Sequence, residues 1–162
     1  MISFRPYSDA DQTFLLKLNQ ESVNATGPLN AEKLSLLQTQ GCQITIAVVD
    51  DAIVGFLMVF NDGSEYDSVN YQWFNKRFKR FSYIDRIVID AASRGMGLGQ
   101  QFYSNLKQQA ERESQTWLVA EINVVPPNEP SLVFHQKQGF VEVGTQSSGS
   151  KTVSMQACEL VG

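Results

Sequence analysis

The spacing of apolar residues changes several times along the chain, and each change marks an element. Ile2 to Tyr7 predicts a first strand, after which Ser8, Asp9 and Asp11 start a helix carrying Phe14, Leu15 and Leu18. Asn24 to Pro28 predicts a loop. A second helix follows Asn30, with Leu29 and Leu34 set as a hydrophobic staple and Gly41 as its stop. Gln43 to Val49 and Ala52 to Phe60 are β-rich runs joined at Asp50-Asp51, a hairpin. Phe81 to Asp90 predicts strand four, and a long helix over about Met96 to Ser114 turns Leu98, Phe102, Leu106 and Ala110 inward. A fifth strand over about Trp117 to Asn123 and a short helix after Asn128 come next. Phe140 to Gly144 and Thr152 to Leu160 predict two closing strands around the polar turn Ser147-Ser148-Gly149-Ser150, and no internal repeat is present.

The connection over residues 61–80 is longer than a hairpin link and holds Tyr66, Asp67, Tyr71, Trp73, Phe74 and Phe78. Two readings stay open for it: walls of a binding cleft, or an extra helix packing its aromatics on the body or on a second subunit. Within it, Lys76-Arg77-Phe78-Lys79-Arg80 reads as a solvated face.

Composition narrows the class. A chain of 162 residues that is 43% hydrophobic can bury one core, which predicts a single domain over 1–162 with residues 61–80 as an insertion. A net charge of −4 argues against a nucleic-acid surface. Cys42 and Cys158 are far apart, and with a single histidine they cannot assemble a zinc site, so free thiols in a reducing compartment are expected and no metal. No run is apolar and long enough for a signal peptide or a membrane span, which predicts a cytoplasmic protein.

The most informative stretch is Tyr83-Ile84-Asp85-Arg86-Ile87-Val88-Ile89-Asp90-Ala91-Ala92-Ser93-Arg94-Gly95-Met96-Gly97-Leu98-Gly99, an apolar strand entering a glycine-rich turn that opens a helix. Glycines at 95, 97 and 99 leave backbone N–H groups unshielded, and the positive end of the helix dipole falls at the same spot, which suits a pyrophosphate. Arg94 adds a forked, fixed positive charge at the rim. A P-loop is excluded because Gln100 and Gln101 follow Gly99 where Lys-Ser/Thr is needed. A dinucleotide fold is disfavoured because the run is Gly-x-Gly-x-Gly, with Gln100 where the last glycine should stand.

The pattern Arg94-x-x-Gly97-x-Gly99 after a strand resembles the acyl-CoA loop of the GNAT superfamily of N-acyltransferases. A second match lies in Glu121 to Phe140, where a strand ends, Asn128 begins a short helix, Ser131 follows three positions on, and Gly139-Phe140 closes it. The resemblance spans nearly the whole chain. It implies an α/β fold with a mixed, mostly antiparallel sheet of six to seven strands, strands four and five splayed, and helices on both faces. Loop residues Arg94, Gly95, Met96, Gly97, Leu98 and Gly99 would bind the diphosphate of acetyl-CoA, Ile87, Val88 and Ile89 would pair with its pantetheine arm, and Asn128 and Ser131 would hydrogen-bond on the pantetheine side. Residues 61–80 would lie beside the acceptor cleft, with Tyr71 and Trp73 as substrate contacts.

The implied activity is acetyl transfer to an amine of a small molecule or amino-acid-like acceptor, directly in a ternary complex. An amine with a pKa of about 10.4 is protonated at neutral pH, so a base is needed. Glu121 and Asp85 both stand at family positions for it, and either could instead be a structural partner of Arg86 or the solvated end of a strand. Where the family often places a proton-donating Tyr, this chain has His135, which suits acid catalysis, packing or a CoA contact. Tyr103 is a substitute acid or half-buried structure. Neither cysteine matches a family nucleophile, and no Gly-x-Ser-x-Gly elbow is present. A non-catalytic acyl-CoA-binding module stands as the alternative, and a homodimer stays open.

Overall fold

A computed structural model describes residues 1–160; residues 161 and 162 of the expected domain lie outside the described residues. The strands are β1 (Ile2–Pro6), β2 (Gln43–Val49), β3 (Ala52–Asn61), β4 (Phe81–Ile89), β5 (Trp117–Val125), β6 (Val141–Ser148) and β7 (Lys151–Glu159). The helices are α1 (Gln12–Glu21), α2 (Val23–Thr26), α3 (Ala31–Thr39), α4 (Val69–Asn75), α5 (Leu98–Arg112) and α6 (Glu129–Lys137). The seven strands follow the order β1-β2-β3-β4-β5-β7-β6, with β4 and β5 parallel, the mixed and mostly antiparallel sheet expected from the sequence. Contacts gather the chain into two compact units, Met1–Phe60 with Ile84–Phe102, and Asn61–Tyr83 with Tyr103–Gly162.

In the first unit β1 to β3 form an antiparallel meander, with Ile2 opposite Val49 and Gln43 opposite Val59. Asp50 and Asp51 both take positive φ, 49° and 67°, the type I′ geometry whose twist matches the flanking strands. A short 3-10 turn, Asp9–Asp11, precedes α1. Asp11 accepts two 2.8 Å bonds from the Arg5 guanidinium and one of 2.9 Å from Ser8 N, and the Arg5 hydrogen bond holds its carboxyl at about pKa 2. Helix α1 buries Leu15, Leu18 and Asn19, whereas Phe14 is 57% exposed. Residues 15, 18 and 19 share one helical stripe, and 14 falls off its edge.

Asn19 also explains why the loop expected over 24–28 begins as helix α2. Its Nδ2 donates to Gly27 O at 2.9 Å and its Oδ1 accepts from Thr26 Oγ1 at 3.1 Å, which satisfies the end of the turn where Gly27 takes φ 84°. Helix α3 starts as read, with Asn30 Oδ1 accepting from Lys33 N at 2.8 Å and Leu34 and Leu37 buried. Gly55 sits mid-strand in β3 because a methyl group there would lie 2.7 Å from the Val88 carbonyl oxygen.

In the second unit Phe81, Ser82 and Tyr83 pair with Trp117, Leu118 and Val119 of β5. β5 pairs antiparallel with β7 from Trp117 opposite Glu159 to Val125 opposite Thr152, and β7 pairs with β6. The closing hairpin is longer than the sequence suggested: β6 runs on to Ser148, leaving Gly149 at φ 60° and Ser150 as the turn. Polar residues at 145–148 keep the strand because their backbone pairs with β7, whatever their side chains prefer.

Residues 61–80 contain α4, capped by Ser68 Oγ, which accepts from Tyr71 N at 3.3 Å. Tyr71 and Phe74 are fully buried. The Trp73 indole lies on Gly144, where a methyl group would come within 2.5 Å of Cζ2, and Gln146 Nε2 donates to Asn70 Oδ1 at 2.6 Å. Phe78 packs on Trp117 at 5.1 Å between ring centres, while Lys76, Arg77, Lys79 and Arg80 are exposed. Among the described residues no helix is long and apolar enough to cross a membrane.

Candidate functional site

In the first unit, β4 runs out through Ile87, Val88 and Ile89 into the 3-10 turn Ala91–Ser93 and the glycine loop. Asp90 N donates to Val54 O at 2.7 Å, and the Val88 carbonyl also faces β3. Backbone polar groups alternate sides along a strand, so Ile87 and Ile89 aim theirs away from β3. Val88 is therefore the one of the three whose backbone is turned toward β3.

Gly95 and Gly97 take φ 86° and 77°, conformations that side chains rarely adopt, and an added Cβ at either would meet nothing within 4 Å. Arg94 and Met96 are exposed beside them and Leu98 is buried as the anchor of the turn. The first bond of α5 runs from Gln101 N to Gly97 O at 3.1 Å, so the N–H groups of residues 98 to 100 precede the helical ladder. Gly99 lies in that first turn. Open space, bare N–H groups, a helix N-terminus and an exposed guanidinium fit an anionic group such as a diphosphate.

Asp85, also in this unit, is committed elsewhere. Its Oδ2 accepts from Arg86 Nε at 2.8 Å, both side chains are 7% exposed, and Arg86 Nη1 reaches Asn19 Oδ1 at 3.0 Å. That is the structural pairing the sequence left open. Cys42 is half-buried and burial pushes its thiol pKa up, as it does for Cys158 in the other unit.

In the second unit Glu121 stands on β5 opposite Met155 of β7, and the Tyr83 hydroxyl donates to its Oε1. Asn128 caps α6 with its side-chain oxygen, which accepts from Ser131 N at 3.3 Å and leaves the amide NH2 outside that bond. His135 is buried among Tyr103, Phe134 and Phe140, with ring centres 5.0–5.4 Å away. Its Nδ1 lies 2.8 Å from Ser131 O, an atom that can only accept, so Nδ1 carries the proton and Nε2 accepts from Tyr103 Oη at 2.6 Å. Ser131 Oγ stands 3.2 Å from the same Nδ1. Burial lowers the His135 pKa from its ordinary value, which keeps the ring neutral, and raises that of Tyr103.

The expected substrate contacts are placed differently from one another. Tyr71 is fully buried, its hydroxyl donating to Asn61 O at 2.7 Å and accepting from Ser64 N at 3.0 Å. Trp73 is half-buried, with the Arg77 guanidinium 4.1 Å above its ring. Among the described residues no three His, Cys, Asp or Glu side chains cluster as a metal site would require.

The sequence model of the Acetyltransferase (GNAT) family matches residues 9–140. The chain belongs to that family. No curated protein matches it by sequence. Among solved structures, Ard1 from Thermoplasma volcanium superposes with a TM-score of 0.78 at 16% identity, covering 99% of each chain. The ribosomal-protein-alanine N-acetyltransferase from Brucella melitensis gives 0.74 at 21%, covering 98% of this chain and 99% of that one. The ribosomal-protein-S18-alanine N-acetyltransferase from Escherichia coli gives 0.75 at 13%, covering 100% and 96%. At such identities the likeness is one of GNAT fold.

What the sequence missed in this GNAT chain are partners rather than sites. Tyr83 was read only as a neighbour of Asp85 along β4, although a buried phenol calls for an acceptor and so carried a signal. Nothing local told which carboxylate it would find. Asn19, mid-helix and buried, gave no signal at all.

Proposed function

We propose that this GNAT protein is an acetyl-CoA-dependent N-acetyltransferase that passes an acetyl group directly to the primary amine of a small-molecule or amino-acid-like acceptor. The observation that carries the reading is the open glycine loop at the start of α5, whose positive-φ residues Gly95 and Gly97 and exposed Arg94 suit the diphosphate of the donor. In this reading Ile87 and Ile89 offer backbone groups to the pantetheine arm, and Asn128 and Ser131 hydrogen-bond on its side. Acetyl-CoA supplies the activated thioester. Glu121 takes the proton from the incoming ammonium, which at a pKa of about 10.4 cannot attack while charged. Asp85 is the weaker candidate because its carboxylate already serves Arg86. Trp73, half-buried where Tyr71 is not, is the better acceptor contact of the two. Two of the structural neighbours are named as N-acetyltransferases of ribosomal-protein alanine, which is in keeping with an amine acceptor.

A second reading, a non-catalytic acyl-CoA-binding module, is favoured by one observation. The imidazole of His135 is neutral and both its nitrogens are engaged, so it has no proton ready for a leaving thiolate. Acetyl-CoA consumption across a panel of primary amines separates the two. Turnover with at least one amine is expected, and tight CoA binding without any turnover would give the protein to the second reading.

A further inference from the structure

Tyr83 is 1% exposed and its hydroxyl donates to Glu121 Oε1. Its ring is held by three aromatic side chains of the 61–80 insertion: Tyr71 at 5.5 Å, Phe74 at 5.9 Å and Tyr66 at 6.3 Å between ring centres. Tyr71 is in turn tied to the backbone at Asn61 and Ser64, and Gln72 Nε2 fixes the Tyr66 carbonyl at 2.7 Å. The phenol therefore has little freedom to swing away from the carboxylate. On the other side, the Glu121 backbone is locked into the β5–β7 ladder opposite Met155.

We infer that Tyr83 is a positioning residue for Glu121, fixing the orientation of its carboxylate and favouring the ionised form, and that the aromatic insertion serves to hold Tyr83 in place. The inference rests on the reading of Glu121 as the base. A hydrogen bond donated to a carboxylate is charge-assisted and stabilises the charged state over the protonated one. A base must be ionised to accept a proton and aimed to accept it from one direction, and the phenol contributes to both. Among the described residues, the titratable groups that face Glu121 in its unit include Tyr83 from β4 and, at longer range, Tyr103 from α5, whose own pKa the Glu121 charge helps to raise; Met155, opposite it on β7, carries no charge. Tyr83 therefore acts on Glu121 as a hydrogen-bond donor.

The test uses the full chain labelled with 13C at the glutamate side-chain carboxyls. The Glu121 resonance is the one absent from Glu121→Gln, and its titration midpoint is followed by NMR in the native protein and in Tyr83→Phe. The midpoint is expected to move up by about one pH unit in Tyr83→Phe, as loss of one charge-assisted bond implies. With the amine that turns over best, kcat should fall about ten-fold at unchanged KM for acetyl-CoA, and the acid limb of the pH profile should move the same way. Should Tyr83→Phe fold poorly, 3,5-difluorotyrosine at position 83 keeps the ring and strengthens the donor, and the midpoint should then move down. A midpoint that stays put in both variants overturns the inference. Full turnover in Glu121→Gln removes the base reading instead, and a moved midpoint in that case still upholds the coupling of phenol to carboxylate.

Discussion

The glycine loop of the first unit and the hydrogen-bonded side chains of the second are built by opposite means for the roles proposed for them. In the loop, the groups on offer are backbone amides that glycine leaves bare, and the residues around Gly95 and Gly97 are exposed with room above them. Around Glu121 and His135 the polar groups are side chains, buried or half-buried, each hydrogen-bonded to a partner distant in sequence: Tyr83 for Glu121 and Tyr103 for His135. A loop built from main chain tolerates change except where φ is positive. A network built from buried side chains fails when any single member is removed.

The comparison breaks most sharply at Glu121. Glu121→Gln keeps the shape and removes the proposed base, and kcat should fall by about 10²- to 10⁴-fold while calorimetry finds CoA affinity nearly unchanged. Unaltered turnover would move the role to Asp85 or to water. Next comes His135→Phe, which leaves the Tyr103 hydroxyl buried without an acceptor and should lower unfolding free energy by about 2 kcal/mol in urea titrations. Adding Tyr103→Phe should recover much of that loss; a doubly destabilised protein would contradict the pairing.

In the loop the effects are smaller on folding and fall on affinity. Gly97→Glu brings a carboxylate into the proposed anion site at a backbone angle of 77°, so CoA affinity should drop at least about ten-fold, at a cost to stability of roughly 1 kcal/mol. Unchanged affinity would remove the diphosphate assignment. The smallest effect lies away from both regions. Asp11 titrates at about 2 when folded against a reference of 3.8, so its contribution is complete above about pH 4 and is lost as pH falls toward 2. Because Arg5 is 42% exposed, the loss is discounted to about 1 kcal/mol, and Asp11→Asn should flatten that part of the acid unfolding curve.

Much of this arrangement was legible before the structure. The hairpin at Asp50-Asp51, the cap at Asn30, the glycine loop and the cap at Asn128 are local devices, written in a few adjacent residues whose chemistry needs no distant partner. The helix carrying Phe14, Leu15 and Leu18 is present, but its spacing alone does not tell which edge of the apolar stripe meets solvent. The first closing strand is expected to stop at Gly144 because Ser147 and Ser148 look like part of a turn until β7 supplies their hydrogen bonds. Tyr83 and Glu121 are 38 residues apart, and only the alignment of β4 beside β5 brings them within reach.

The chain has two tryptophans, and both belong to the second unit: Trp73 resting on Gly144 and Trp117 edge-on to Phe78. Intrinsic fluorescence is therefore a reporter for one unit alone, whereas circular dichroism samples the helices and strands of both. Melting curves from the two signals that coincide would mean cooperative unfolding of the whole chain; an emission change that arrives early or late would show the unit carrying Glu121 losing its structure on its own schedule.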